Sequence, residues 1–247
     1  MPTNISELQY RIKRHFRFSS KEVRDLTLTM IVLAFIFGYN DRAETFNAVH
    51  WGLNYLKMFL IVFLTVIVHE IGHKIAALQM GLKAEYKAWP TGLLIGLMFT
   101  FLSKGKWYVV LPGGMILSHM AILRIGHFRY GLNYITQGML ATAGPIANLI
   151  FATFWKTLAL FNVFPEFFNI LTFINLYYAV WTFLPLPNLD GIHMFYGSRL
   201  WYVFAFGTLL SYILLYVVGF YSLIFALLGG GVIWLVYYAT FEREAWG

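Results

Sequence analysis

His69 and His73 flank Glu70 in the run Val66-Ile67-Val68-His69-Glu70-Ile71-Gly72-His73, an H-E-x-x-H pattern. On a helix, positions i and i+4 share a face, so both imidazoles project from one side and can hold one Zn²⁺. Glu70 sits beside that face, where its carboxylate can take a proton from activated water. From Trp51 to Gln79 the chain is overwhelmingly apolar, with Lys57 near one end and Lys74 just past the motif. Ionisable groups in such a stretch are costly and point to function. Structural zinc sites usually close with four protein ligands, often thiolates, and this chain has no cysteine. Two histidines leave a catalytic zinc one protein ligand short, with water as the fourth. Most of the eleven acidic residues lie in polar flanks or loops. Glu166 falls in an outer turn and Glu85 in an irregular region, which leaves Asp190 beside Glu70 on apolar segments. Asp190 lies in Leu184-Pro185-Leu186-Pro187-Asn188-Leu189-Asp190-Gly191, where two prolines break a helix and Gly191 allows a tight backbone. Taken alone, that run also reads as an ordinary turn.

These residues need elements to position them. Of 247 residues, 60% are hydrophobic and 12% charged, where soluble domains carry about a quarter charged. The composition predicts one integral membrane domain at residues 26–241. Apolar runs at Leu26–Tyr39, Trp51–Gln79, Gln137–Phe161, Phe168–Leu184, Leu200–Gly219 and Tyr221–Thr240 are each long enough to span or nearly span. Gly144-Pro145 interrupts the third. The expected fold is an all-α polytopic membrane protein with about six transmembrane helices. A short membrane-associated β-hairpin region is expected between the second and third, from Gly81 to Tyr130. There Lys83–Trp89 alternates like a strand, Trp107–Leu111 has strand-like composition, and Pro90, Gly105, Pro112, Gly113 and Gly114 punctuate. Thr91–Phe101 is apolar but short for a span.

The net charge of +7 is concentrated before the first apolar run, at Arg11, Lys13, Arg14, Arg17, Lys21 and Arg24. This placement marks a cytoplasmic segment held at anionic lipid rather than a nucleic-acid interface. Residues 1–25 read as a basic interfacial segment, with Leu8, Ile12 and Phe16 along one side of a helix. No cleavable signal peptide is expected there. Six spans starting inside return the C-terminus inside, with 242–247 as a cytoplasmic tail. On this count residues 69–73 and 185–191 arrive at similar depth, a match that favours Asp190 as a ligand.

The chain resembles the site-2 protease family of intramembrane zinc metalloproteases. His69-Glu70-Ile71-Gly72-His73, Gly144-Pro145-Ile146-Ala147-Asn148 and Pro185-Leu186-Pro187-Asn188-Leu189-Asp190-Gly191 stand in the family's order, on spaced apolar segments from about Trp51 to His193. The resemblance implies Asp190 as third zinc ligand beside His69 and His73, and Glu70 as general base. It also implies one Zn²⁺ per chain and cleavage of peptide bonds within or near transmembrane segments of other proteins. The family usually places Asn three residues before the first proline of the aspartate motif, and here that position is Thr182. A threonine hydroxyl can donate one hydrogen bond with shorter reach. Asn148 and Asn175 are alternative groups for holding a substrate carbonyl or oxyanion, and all three could instead bond between helices.

The expected activity is metal-assisted peptide hydrolysis at the cell membrane, with a transmembrane protein as substrate and the bilayer as surroundings. A substrate helix must unwind locally before attack, and an extended segment could add to the strand-like region. A metal-binding transporter is the main alternative, yet no inverted repeat or second layer of ligands is visible. A bis-histidine haem protein needs histidines on facing helices, which His69 and His73 are not. A catalytically silent relative would not need the full set of His69, Glu70, His73 and Asp190. The sequence is silent on oligomeric state.

Overall fold

The computed structural model describes residues 4–120, 132–216 and 220–242. The tail from 243, residues 1–3 of the basic segment, 121–131 of the irregular region and 217–219 at the end of the fifth apolar run lie outside the described residues. Helix makes up 75% of the structure, with one small antiparallel sheet. The chain divides into two compact units, Met1–Gly131 and Leu132–Gly247.

In the first unit, α1 (Ile5–His15) starts at Asn4, whose side chain accepts the Ile5 N–H. Leu8 and Ile12 are half-buried on it, as is Phe16 at its C-cap. Arg11 donates to Leu78 O at 3.0 Å, a carbonyl at the C-terminal end of α3 (Ala48–Gln79) that also accepts the Gly81 N–H at 3.2 Å. The first apolar helix begins earlier than hydropathy implies. α2 (Ser20–Gly38) starts in a capping box, in which Glu22 N–H bonds the Ser19 hydroxyl and Ser19 N–H bonds the Glu22 carboxylate. α2 and α3 pack together, burying Leu33, Ala34, Ile36 and Phe37 on one and Ile61, Val62 and Val66 on the other.

β1 (Leu82–Ala88) matches the alternation read at 83–89. The second strand does not lie at 107–111. β2 is Gly113–His119, and it pairs antiparallel with β1 in the register Tyr86↔Met115. Two physical facts account for the difference. The segment at 109–111 runs along a glycine-lined side of α4 (Pro90–Leu102). A Cβ on Gly92 would stand 2.7 Å from Leu111 O, and one on Gly96 2.5 Å from Val109 O. Gly113 has φ 135°, and a Cβ there would meet Lys87 O at 2.2 Å, so glycine is what lets the strands close at this point. The pair is therefore not a simple hairpin, because a 13-residue helix lies between its strands. Pro90 occupies the first turn of that helix, a favoured start signal.

In the second unit, α5 (Tyr134–Leu160) runs unbroken through Pro145, and α6 (Pro165–Phe183) packs on it. A short helix absent from the sequence reading, α7 (Asp190–Gly197), follows the proline-rich turn. It lies against α5 where Gly138 and Gly197 allow close approach. α8 (Arg199–Leu215) and α9 (Tyr221–Tyr237) pair through Gly207, Thr208, Ser211, Gly229 and Gly230, a small-residue contact typical of membrane helices. A π-helical segment, Tyr238–Glu242, continues α9.

Among the described residues, three helices are long and apolar enough to cross a membrane: Ala48–Gln79, Tyr134–Leu160 and Tyr221–Glu242. The most apolar window of the last is only 11% buried, so its surface faces outward as apolar side chains. Such a surface suits lipid and not water. α8 is apolar but has 17 residues, and α2 carries Lys21, Glu22, Arg24 and Asp25 in its first turns.

Candidate metal centre

α3 has no glycine or proline between Gly52 and Gly72, and its run of Val, Ile, Leu and Phe keeps it helical through the motif. His69, Glu70 and His73 project from it fully buried, at 1%, 2% and 0% exposure. The histidine Nε2 atoms stand 3.1 Å apart, with the rings inclined at 81°. Two nitrogens on one tetrahedral zinc, each about 2.0–2.1 Å from it, are separated by roughly 3.3 Å. The imidazoles are thus already close to the spacing one ion demands.

Asp190 is the first residue of α7 and is 1% exposed. The chain reaches it through Pro185 and Pro187, which end α6, and through Asn188 at φ 62°. Gly191 then lies against the end of α6, where a Cβ would meet Phe183 O at 2.0 Å. Glycine at 191 is therefore what allows the carboxylate beside it to sit so close to the helix end. His69, His73 and Asp190 each offer one ligand atom, and as a set they could hold a metal ion. Among the described residues they form the only such group of histidine and acidic side chains. Two imidazole nitrogens and a carboxylate oxygen are a donor set that suits a catalytic zinc with one position left open. Glu70 stands outside that set.

The other residues singled out from sequence separate clearly. Glu166 is exposed in the first turn of α6, and Glu85 is exposed on β1. Two histidines outside that group are placed differently, His119 exposed at the end of β2 and His193 half-buried on α7. Thr182 is fully buried, and its hydroxyl donates to Ala179 O at 3.1 Å within its own helix. Asn175 is fully buried, with its amide donating to Leu171 O at 2.8 Å. Asn148 differs from both. It is fully buried on α5, and neither its amide nitrogen nor its carbonyl oxygen has a hydrogen-bond partner. A buried amide with nothing to bond carries a cost of about 1–3 kcal/mol, which a ligand can relieve.

Sequence reasoning missed one polar feature next to the motif. Lys74 is buried and paired with Glu22, 52 residues away. The capping-box spacing Ser19-x-x-Glu22 was a visible signal for the start of α2, but nothing local indicates that Glu22 also reaches α3.

No family model matches the chain, and no solved structure matches it significantly. The chain is 28% identical over 190 residues to a Methanocaldococcus jannaschii protein provisionally named a zinc metalloprotease, an overlap covering 71% of this chain and 84% of that one. This likeness supports a zinc metalloprotease relationship, and the buried His69, His73 and Asp190 cluster is one that could bind the metal.

Proposed function

We propose that the chain is an intramembrane zinc metalloprotease of the site-2 protease type, hydrolysing peptide bonds within or near transmembrane segments of other membrane proteins. One observation carries the reading. Two buried imidazoles one turn apart on α3 and the buried carboxylate of Asp190 are a donor set that could hold a metal, with a further buried carboxylate, Glu70, adjacent to the first histidine. The likeness to the Methanocaldococcus jannaschii protein supports the zinc-protease part, and the apolar helices around the motif support the membrane part.

His69, His73 and Asp190 would hold one Zn²⁺. When bound, the metal supplies Lewis acidity, lowering the pKa of water toward about 7 and polarising the scissile carbonyl. Glu70 accepts a proton from the attacking water as its oxygen bonds the carbonyl carbon. Glu70 then delivers that proton to the nitrogen as the C–N bond breaks. Asn148 is assigned to the substrate's carbonyl oxygen, since its amide has donors to give and no partner within the protein.

The substrate must reach Glu70 as an unwound strand, because carbonyls inside a helix are already bonded. β2 is the strand to receive it. The far side of β1 is taken by side chains, with Glu22 accepting the Tyr86 N–H, Asp25 the Ala88 N–H, and Lys74 donating to Ala84 O. Among the described residues no third strand pairs with β2.

The same reading sets the chain in the cell membrane as a multi-pass protein with both termini in the cytoplasm. Six basic residues precede the first apolar run at Leu26, against Arg42 alone in the following loop. A single cysteine introduced at Asn47 should react with an impermeant thiol reagent added outside intact cells. Protection there reverses the orientation.

The function is tested with purified protein and a synthetic transmembrane helix. About one zinc per chain, and cleavage abolished by a chelator and restored by added zinc, is the expected result. Cleavage at full rate by metal-free protein overturns it.

A further inference from the structure

Lys74 lies one turn beyond Glu70 on α3 and is 5% exposed, yet its charge is fully engaged. Its Nζ stands 2.8 and 2.9 Å from the two carboxylate oxygens of Glu22. It donates to Ala84 O at 3.0 Å and to Arg17 O at 3.3 Å, and lies 4.5 Å from the Phe18 ring centre. Glu22 is 1% exposed and also accepts the Tyr86 N–H at 3.1 Å and the Ser19 N–H at 3.3 Å. One turn along α2, Asp25 accepts the Ala88 N–H at 3.4 Å.

Residues 84, 86 and 88 alternate along β1, so their backbone groups share one edge. Every bond just described from α2 and α3 to β1 lands on that edge, while the opposite edge pairs with β2. A buried ion pair is a weak source of net stability, and well-packed apolar residues of the same volume often do as well or better. What it supplies here is position. Sliding β1 by one residue would turn its side chains to the other face and strip Glu22 and Lys74 of their backbone partners.

We propose that the Glu22–Lys74 pair is a register clamp. It holds β1, and through β1 the two-stranded sheet, at a fixed station along the helix that carries His69, Glu70 and His73. This deepens the protease reading and rests on it. If β2 receives the unwound substrate, the clamp decides which peptide bond lies opposite Glu70. Lys74 is then a positioning residue that never touches substrate.

The test uses the double variant Glu22→Gln/Lys74→Met, which removes both charges at similar volume and avoids the lone buried charge that either single change leaves. It is expected to keep its zinc. Amide hydrogen exchange at Tyr86 and Ala88 should speed up about tenfold, with α3 around the motif unchanged. Mass spectrometry of the cut synthetic helix should show cleavage spreading from one bond to its neighbours. KM should rise about fivefold with kcat nearly constant, since register is lost and chemistry is not. Glu22→Asp is the milder variant. It keeps the charges, withdraws the carboxylate by one methylene, and should show the same shifts at smaller size even if the double variant does not fold. Wild-type exchange at Tyr86 and Ala88 in whichever of these folds overturns the clamp, whatever the state of catalysis. A loosened strand with an unshifted cleavage site and unchanged KM overturns its role in positioning substrate. Wild-type protein that cleaves nothing defeats the protease reading instead, and exchange still decides the clamp.

Discussion

Gly191→Ala asks how firmly the backbone fixes Asp190. A Cβ at 191 would stand 2.0 Å from Phe183 O and 2.4 Å from Leu184 O, whereas real Cβ atoms essentially never approach closer than 3.0 Å. The end of α6 and the start of α7 would have to part by about 1 Å, the difference between 3.0 and 2.0 Å. Both obstructing atoms are backbone, so no side-chain rotation relieves the clash. Overpacking of this kind costs about 1–3 kcal/mol. The displaced carboxylate matters more, because zinc–ligand distances tolerate only about 0.2 Å. Loss of a residue that orients a ligand lowers metal affinity roughly 10–100-fold, and the same range is expected here. Competition against a chelator of known affinity measures it directly. Gly231→Ala in α9 is the control, since a Cβ there meets nothing within 4 Å. Wild-type zinc affinity in Gly191→Ala would mean that this contact does not hold Asp190, or that Asp190 does not bind the metal.

Asp190→Ala should lower zinc content sharply, while Glu166→Ala, exposed at the start of α6, leaves it unchanged; equal effects on metal would refute the ligand assignment. Asn148→Ala should reduce kcat about 10²–10³-fold, the typical cost of losing one oxyanion donor. Thr182→Val should cost less than about tenfold, because the Thr182 hydroxyl is already given to Ala179 O. A larger loss from Thr182→Val than from Asn148→Ala would exchange the two roles.

The parts of this molecule that were legible in the sequence are those set by near neighbours. His69 and His73 share a face because a helix repeats every 3.6 residues, and an apolar run is enough to make that helix. The helix boundaries of α3 and α5 fall within a few residues of the apolar runs that mark them. Asp190 stood out as an acidic residue attached to an apolar segment, at the depth the span count gave His69 and His73, although its proline–glycine run alone also read as an ordinary turn. Where short elements meet distant backbone, the sequence was mute. Gly113 and Gly114 read as punctuation, yet they open β2, because a glycine is what β1 tolerates at that contact. The strand-like composition at 107–111 was answered by the glycine side of α4 instead of by pairing. α7 is eight residues long, and the turn signals before it outweighed its own weak helical pattern. Lys74 looked like a charge at the edge of an apolar run, since its partner Glu22 is brought to it only by the packing of α2 on α3. Thr182, Asn175 and Asn148 were equivalent as letters, and separated only when hydrogen bonds showed which of them was already engaged.

The central claim is that Glu70 does proton chemistry beside a metal it does not ligate. The direct measurement is zinc content and cleavage rate of Glu70→Gln against wild type, in the same preparation and on the same synthetic transmembrane helix. The amide keeps the size of the side chain and removes the base. Zinc should remain at the wild-type level while cleavage falls by about 10²–10⁴-fold, the usual contribution of general acid–base catalysis. Cleavage near the wild-type rate, or loss of zinc together with activity, would contradict the account.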